Sequence, residues 1–416
     1  MFTLNWFFSK TVRQASEMRR QVRMLLNEQR DLLKPEAIQK IQGGVDSMTS
    51  VLEQGSGKEV IKTEMNRLEK VANDNLIPYP GGSVRENIKE ILVAITTIMA
   101  FTSFFLQLTK IPTGSMQPTL FGITHENLLD QPEIKIPNFL VRVKDYWVWG
   151  IQYNWFVAPE DGEFESFEPP RTILPFIKTQ RFRFAGQWHT IWLPGDGLFG
   201  SLETGRMRAT IRPGVVKKGE YVFAVKIYAG DHLLVDRFTY NFRRPERGEI
   251  IVFKTRGIPR LPQDQLYIKR LVGLPNETIR IGNDRHLVVD GRRLDAATRH
   301  FEMIYGAIDD AHDPLVHAKT REEWEAAVTS RKPPYRGHIN QKVAHDLYSD
   351  PRDVAEKFPD GSEEFHVREG HLLPMGDNQM NSSDGRVFGD FDRRNLIGRC
   401  WFVYWPFTER FGWGYR

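Results

Sequence analysis

The chain has 416 residues, a net charge of +4, 40% hydrophobic and 26% charged residues, and a mean hydropathy of −0.44. That length predicts two or three domains rather than one small core. The mild basicity, without a dense Lys/Arg stripe, points away from nucleic acid and toward a weak attraction to anionic lipid, and the single cysteine, Cys400, excludes an intrachain disulfide and any cysteine-cluster metal site.

Residues 1–82 read as a charged helical region. Met1, Phe2, Leu4, Trp6, Phe7 and Phe8 make a segment that could dip into a lipid interface but is too short to span. Two helical stretches follow, 11–33, stopped by Pro35, and 58–72. They read as a hairpin, a partner-binding arm or a membrane-surface helix, or simply as a solvated appendage. Pro78, Pro80, Gly81 and Gly82 form the joint after them.

Residues 83–110 read as a membrane anchor. Its apolar run, 91–109, is bounded by Glu90 and Lys110. At about 1.5 Å per helical residue it reaches the roughly 30 Å of a hydrocarbon core. The alternative is a buried helix of a soluble domain. About ninety residues precede the run, so it is expected to stay uncleaved. Basic residues flank both sides (Arg67, Lys70, Arg85 and Lys89 before; Lys110, Lys135, Arg142 and Lys144 after) and tilt only weakly toward a cytoplasmic N-terminus. Ser115 then lies no more than about 25 Å beyond the run.

After the run, short β-branched and aromatic segments alternate with Gly, Pro and Asp turns. Examples are 221–225, 232–238, 249–253 and 278–281, which predict a mainly antiparallel β domain. One helix is expected over 320–331. Cys400 sits in an expected strand, 396–405, as a small core residue.

Three segments carry chemistry. Ser115 lies between Gly114 and Met116, with Pro112 and Pro118 stiffening both sides. A serine hydroxyl needs a base. His189, His232 and His371 permit a Ser-His-Asp arrangement, though no spacing supports one. The alternative base is Lys269, on an apolar strand where Tyr267, Lys269 and Leu271 share one face and Ile268, Arg270 and Val272 the other. A lysine base must be neutral, so burial must bring its pKa from near 10.4 to roughly 7–8. Taken alone, Lys269 also fits an ordinary salt-bridged lysine. The third segment, 375–386, is a dense polar loop that either faces solvent or orients the base.

These segments resemble the bacterial type I signal peptidase (leader peptidase) family. The apolar run, Gly114 to Thr119, 230–253, 267–275 and 376–386 occur in the family's motif order. The resemblance implies a mainly β (α+β overall) fold: an antiparallel catalytic sheet, one N-terminal transmembrane helix and the charged helical region before it. It also implies an extracytoplasmic peptidase domain over 111–416, with its core in 111–123, 230–283 and 370–416. Residues 124–229 are then an insertion and 284–369 a variable second domain.

The implied activity is removal of signal peptides from exported preproteins after small residues at −3 and −1, without metal or other cofactor; the spacings His312/His317 and His366/His371 are irregular for a ligand set. Ser115 would be the nucleophile and Lys269 the base. Thr113 would join the Ser115 N–H in the oxyanion hole, and Ser382 would orient the lysine. Tyr267 would help bury it, while Asp377, Asp384 and Arg386 would shape the loop through an Asp–Arg pair. The loop departs from the commoner pattern at Gln379 and Met380, where Arg and Asp are frequent, and at Gly385, where serine is frequent.

Expected partners are preproteins, membrane lipid and secretion machinery. The expected location is the bacterial cytoplasmic membrane, single-pass. Aromatics of the insertion (Tyr146, Trp147, Trp149, Tyr153, Trp155, Phe156, Trp188, Trp192) or of the tail (Phe407, Phe411, Trp413, Tyr415) would either touch the membrane or pack a β core. Two rival readings stay open, a narrow-substrate processing peptidase and a non-enzymatic membrane scaffold.

Overall fold

The computed structural model describes residues 9–77, 82–174, 177–199, 211–306, 308, 310–328, 336–350 and 352–414. The aromatic segment 1–8, the joint at Pro78, Pro80 and Gly81, and Tyr415 lie outside them. The chain divides into two compact units, Met1–Ile98 and Met99–Arg416.

Among the described residues before Gly82 there are three helices where two were expected: α1 (Lys10–Gln29), α2 (Pro35–Glu53) and α3 (Lys58–Asn75). Pro35 ends the stretch before it and also opens the missed helix, because a proline's absent N–H and fixed φ suit the first helical turn. Ile41, Val45 and Met48 recur at helical spacing and bury against Val22, Leu26, Ile61 and Leu68. Just after α3, Gln29 clamps the backbone of Ile77, donating to its carbonyl at 2.9 Å and accepting from its N–H at 3.0 Å.

A fourth helix, α4 (Gly82–Phe104), follows. Its stretch Asn87–Phe104 is long and apolar enough to cross a membrane, and none of it is buried. The apolar run 91–109 is therefore not one helix. It breaks after Phe104, and Leu106–Lys110 becomes strand β1, paired antiparallel with β9 (His232–Asp236) from Leu106↔Asp236 to Lys110↔His232. Arg237 donates to the Ser103 carbonyl at 2.7 Å, placing a cation at the helix C-terminus. Ser115 is thus eleven residues past the helix end, and the bound on its distance from that end rises to about 40 Å.

The central sheet of the second unit is antiparallel. Its order is β1, β9, β18 (Leu396–Trp405), β10 (Ile250–Lys254), β11 (Leu266–Gly273), β16 (His371–Met375) and β17 (Phe391–Asp392). Cys400 is buried on β18, its thiol pushed up to about 12 by burial. The sheet brings together segments far apart in sequence. β1 leads into the serine segment, β11 carries Lys269, and β16 leads into the loop 376–386.

Residues 124–229 build two smaller sheets. One joins β2 (Thr124–Asn127), β8 (Tyr221–Tyr228) and β3 (Ile151–Val157); the other joins β4 (Phe164–Phe167), β6 (Ile177–Phe184), β5 (Arg171–Leu174) and β7 (Gln187–Trp192). Phe182, Phe184, Phe199 and Phe223 pack between them. Of the aromatics in 124–229, Tyr153, Trp155 and Phe156 are half-buried, whereas Tyr146, Trp147, Trp149, Trp188 and Trp192 are exposed. The first three of these exposed rings lie on a helix the sequence reading missed, α5 (Phe139–Trp149), capped by Asn138 and ended by left-handed Gly150. Tail residues Phe407, Phe411 and Trp413 are exposed too.

In 284–369, β13 (Leu287–Val289) and β14 (Arg292–Arg293) extend from β12 (Thr278–Ile281), whose other neighbour is β15 (Phe365–His366). Helices α6 (Arg321–Val328) and α7 (Gln341–Tyr348) complete this region; α6 covers the described part of the expected helix.

Close backbone approach fixes the serine segment to the sheet. Ile111 N–H donates to the Asp231 carbonyl at 2.9 Å, and Asp231 N–H to the Phe121 carbonyl at 2.8 Å. Asp231 also accepts from Phe121 N–H at 2.7 Å and pairs with Arg410. A Cβ at Gly230 would lie 1.8 Å from the Ile111 oxygen. Gly230→Ala is expected to destabilise the protein by about 1–3 kcal/mol. This would appear as a lower urea midpoint with unchanged slope in detergent; an unchanged midpoint would show that the backbone yields at no cost.

Candidate active site

Ser115 lies in a turn-rich segment pinned by buried Ile111, Met116 and Leu120, which pack with Leu233, Val252 and Ile268. At Gly114 the Gln117 side chain comes close, and a Cβ there would lie 2.6 Å from its Oε1. Strand β11 stands next to β10 with Ile251 opposite Lys269. As alternation requires, Tyr267 and Leu271 join one apolar cluster and Ile268 another.

The Lys269 side chain is buried, and its Nζ donates to Ser115 Oγ at 2.8 Å and to the Ile268 carbonyl at 3.0 Å. Its ammonium stands 5.3 Å from the centre of the Tyr267 ring. Burial drives its pKa from 10.5 down to about 8; Asp384 and Asp377 pull it upward, and Arg386 adds to the fall. The neutral amine is thus accessible near neutral pH, as a base requires.

The loop after β16 supports both groups. Asn378 N–H donates to the Ser115 carbonyl and its Nδ2 to the Gly114 carbonyl, each at 3.0 Å. Gly376 leaves room for this approach, since a Cβ there would lie 2.1 Å from Ser382 Oγ and 2.6 Å from the Ser115 oxygen. Asp384 accepts from Gly376 N–H at 2.9 Å and pairs with Arg386, both side chains fully buried. Burial works to raise the Asp384 pKa, but the Arg386 guanidinium and the surrounding hydrogen bonds hold it below the ordinary carboxylate range.

The expected Asp–Arg pair is therefore present, and there is a second one. Arg270 donates to both oxygens of Asp377, at 2.8 and 2.7 Å, and Thr119 donates to the same carboxylate. Arg270 also reaches the carbonyls of Gly248 and His300. Arg270, Thr119 and Asn378 are the residues that sequence reasoning passed over as site residues. All three lie inside quoted motifs, and a second charge beside Lys269 on apolar β11 was the available signal for Arg270.

Two expectations fare differently. Ser382 reaches the site, but its buried hydroxyl completes no hydrogen bond. The bond to Lys269 implied by the resemblance is not formed. Thr113 is exposed beside Ser115, open to whatever approaches the serine.

With this geometry in view, the comparisons with known proteins are direct. Residues 223–405 match the family model for signal peptidase, peptidase S26. That match covers less than half of the chain. It is similar to signal peptidase I of Pseudomonas fluorescens, at 27% identity over 42% of this chain and 60% of that one. It is also similar to signal peptidase I of Rickettsia prowazekii, at 28% identity over 51% of this chain and 73% of that one. A solved signal peptidase I from Enterococcus faecalis aligns with 38% of this chain and 97% of its own, at 24% identity and a TM-score of 0.21. The chain spans 60% of the length of the Pseudomonas relative and 56% of a probable signal peptidase I-2 from Synechocystis, less than two thirds of either. Lys269 and the loop 376–386 fall within the family match; Ser115 falls outside it.

The lowered Lys269 pKa has a thermodynamic consequence. Between about pH 8 and pH 10.5 the folded chain binds fewer protons than the unfolded one, so stability rises with pH across that window. The penalty, about 3 kcal/mol, is full below pH 8 and vanishes above 10.5. Urea unfolding of the parent and of Lys269→Met should show the parent gaining about that much relative to the variant over this window. A pH-independent difference would mean that the amine titrates as it does in water.

Proposed function

We propose that this protein is a membrane-anchored serine endopeptidase that removes N-terminal signal peptides from exported preproteins. The observation that carries the reading is the 2.8 Å hydrogen bond between buried Lys269 Nζ and Ser115 Oγ, in a chain whose residues 223–405 match the S26 family. The names of its relatives supply the substrate class.

In the proposed reaction, neutral Lys269 takes the proton as Ser115 Oγ attacks the scissile carbonyl. The Ser115 N–H and the Thr113 hydroxyl stabilise the oxyanion; donors aimed at developing charge are typically worth a few kcal/mol each. Lys269 returns the proton to the leaving amine. It then activates the water that cleaves the Ser115 ester. Small residues at −3 and −1 fit the substrate preference that the resemblance implies. The apolar stretch Asn87–Phe104 supports a single-pass anchor, and β1 begins two residues after that helix ends. Catalysis would then occur near the membrane surface, on the extracytoplasmic side of a bacterial cytoplasmic membrane.

A narrower substrate set is the second reading. It is favoured by the two sheets of 124–229, which have their own core and are inserted directly after the serine segment.

Detergent-solubilised protein should cleave a preprotein with an Ala-x-Ala boundary, whereas Ser115→Ala and Lys269→Ala should each lower kcat by at least about 10³-fold while remaining folded. The rate should rise with pH through an apparent pKa near 8, the value of Lys269. Activity that survives Lys269→Ala, or a rate limb near pH 6.5, would point to a histidine base instead.

A further inference from the structure

Two residues of the polar loop belong physically to another part of the fold. Met380 is fully buried, and its side chain lies in the apolar core of 284–369, among Leu315, Trp324, Ile339, Val343, Tyr348 and Val354. Its carbonyl accepts from Arg352 Nη2 at 2.7 Å. That guanidinium lies 4.7 Å over the Trp324 ring and is itself held by buried Asp350 at 2.6 Å. The neighbouring Gln379 accepts from Ile339 N–H through its side chain and from Arg386 Nη2 through its carbonyl, at 3.4 and 2.7 Å. Its Nε2 donates to the Gly376 carbonyl. Arg386 in turn accepts at its carbonyl from Lys357 N–H at 2.8 Å.

The next residue back is Asn378, which grips the carbonyls of both Gly114 and Ser115. An unbroken series of contacts therefore runs from the core of 284–369 through Met380, Gln379 and Asn378 to the serine backbone. We propose that Met380 is a positioning residue, through which the second domain holds Ser115 in register with Lys269. The proposal rests on the Ser115–Lys269 reading given above. A short polar loop has little apolar surface of its own to fix its geometry, and a methionine set in a neighbouring core supplies it. If Met380 loses that seat, Asn378 loosens, Ser115 Oγ drifts from the amine, and water reaches Lys269.

The test uses the full chain in detergent, with Met380→Ala and the volume-conserving Met380→Leu. Two readouts are taken. One is kcat and KM on a preprotein. The other is the pH dependence of Lys269 acetylation by acetic anhydride, followed by mass spectrometry, which needs no catalysis. For Met380→Ala we expect kcat to fall at least about tenfold with KM within about twofold, and the Lys269 titration to move up toward 10.5; Met380→Leu should restore both. A folded Met380→Ala with the parent's Lys269 titration would overturn the proposal, whatever its kcat. Should Met380→Ala not fold, Arg352→Ala, which removes the hydrogen bond to the Met380 carbonyl, takes its place under the same criteria. If the parent cleaves nothing, the peptidase reading fails, while the Lys269 titration still decides whether Met380 positions the site.

Discussion

The Lys269 amine lies buried beside a serine hydroxyl, and much of the second unit bears on how that burial is kept. Desolvation lowers the amine toward neutrality, but the loop that covers it also brings two carboxylates, Asp377 and Asp384, which work in the opposite direction. Each carboxylate has its own arginine. Arg270 holds Asp377, and Arg386 holds Asp384, with all four side chains essentially buried. Two neutralised pairs leave burial as the dominant influence on the lysine. A buried carboxylate left unpaired would tend to recharge the amine, and the loop would lose the rigidity that its ion pairs supply.

The sheet order explains why the parts meet. The serine segment follows an edge strand, β1, yet Ser115 reaches β11 on the far side of the sheet's centre because Asp231 and Gly230 fold the segment inward. The loop after β16 closes over it from the other side. The site is thus assembled from three segments more than a hundred residues apart, and the residues between them leave from turns between these strands.

Much of this was legible in the sequence. The strands at 278–281 and 396–405 read correctly, because β-branched and aromatic residues bounded by turn signals carry their own evidence. Ser115, Lys269 and the loop stood out because polar residues were set in unusual company. What the sequence did not disclose was partnership. Alternation put Arg270 only on the face opposite Lys269, and it is buried there because an aspartate 107 residues away meets it. Met380 looked like a departure within a polar loop, although its environment is supplied by a separate core. The apolar run 91–109 concealed a helix-to-strand change, since Leu106 and Leu108 suit either state and only pairing with β9 decides between them. The helix over 35–53 is hidden because Pro35, which stops one helix, also opens the next. Ser382 shows the opposite limit. Its motif position is kept, but the hydrogen bond the motif implies is absent.

The central claim is that Ser115 Oγ forms the covalent bond during cleavage, with Lys269 as its base. The most direct measurement is acid quenching of the protein in mid-turnover with a preprotein, followed by peptide mass mapping. The account predicts a signal-peptide ester on the fragment containing Ser115, absent from the Lys269→Ala protein. Turnover with the ester on another residue, or rapid cleavage by the Ser115→Ala protein, would contradict it.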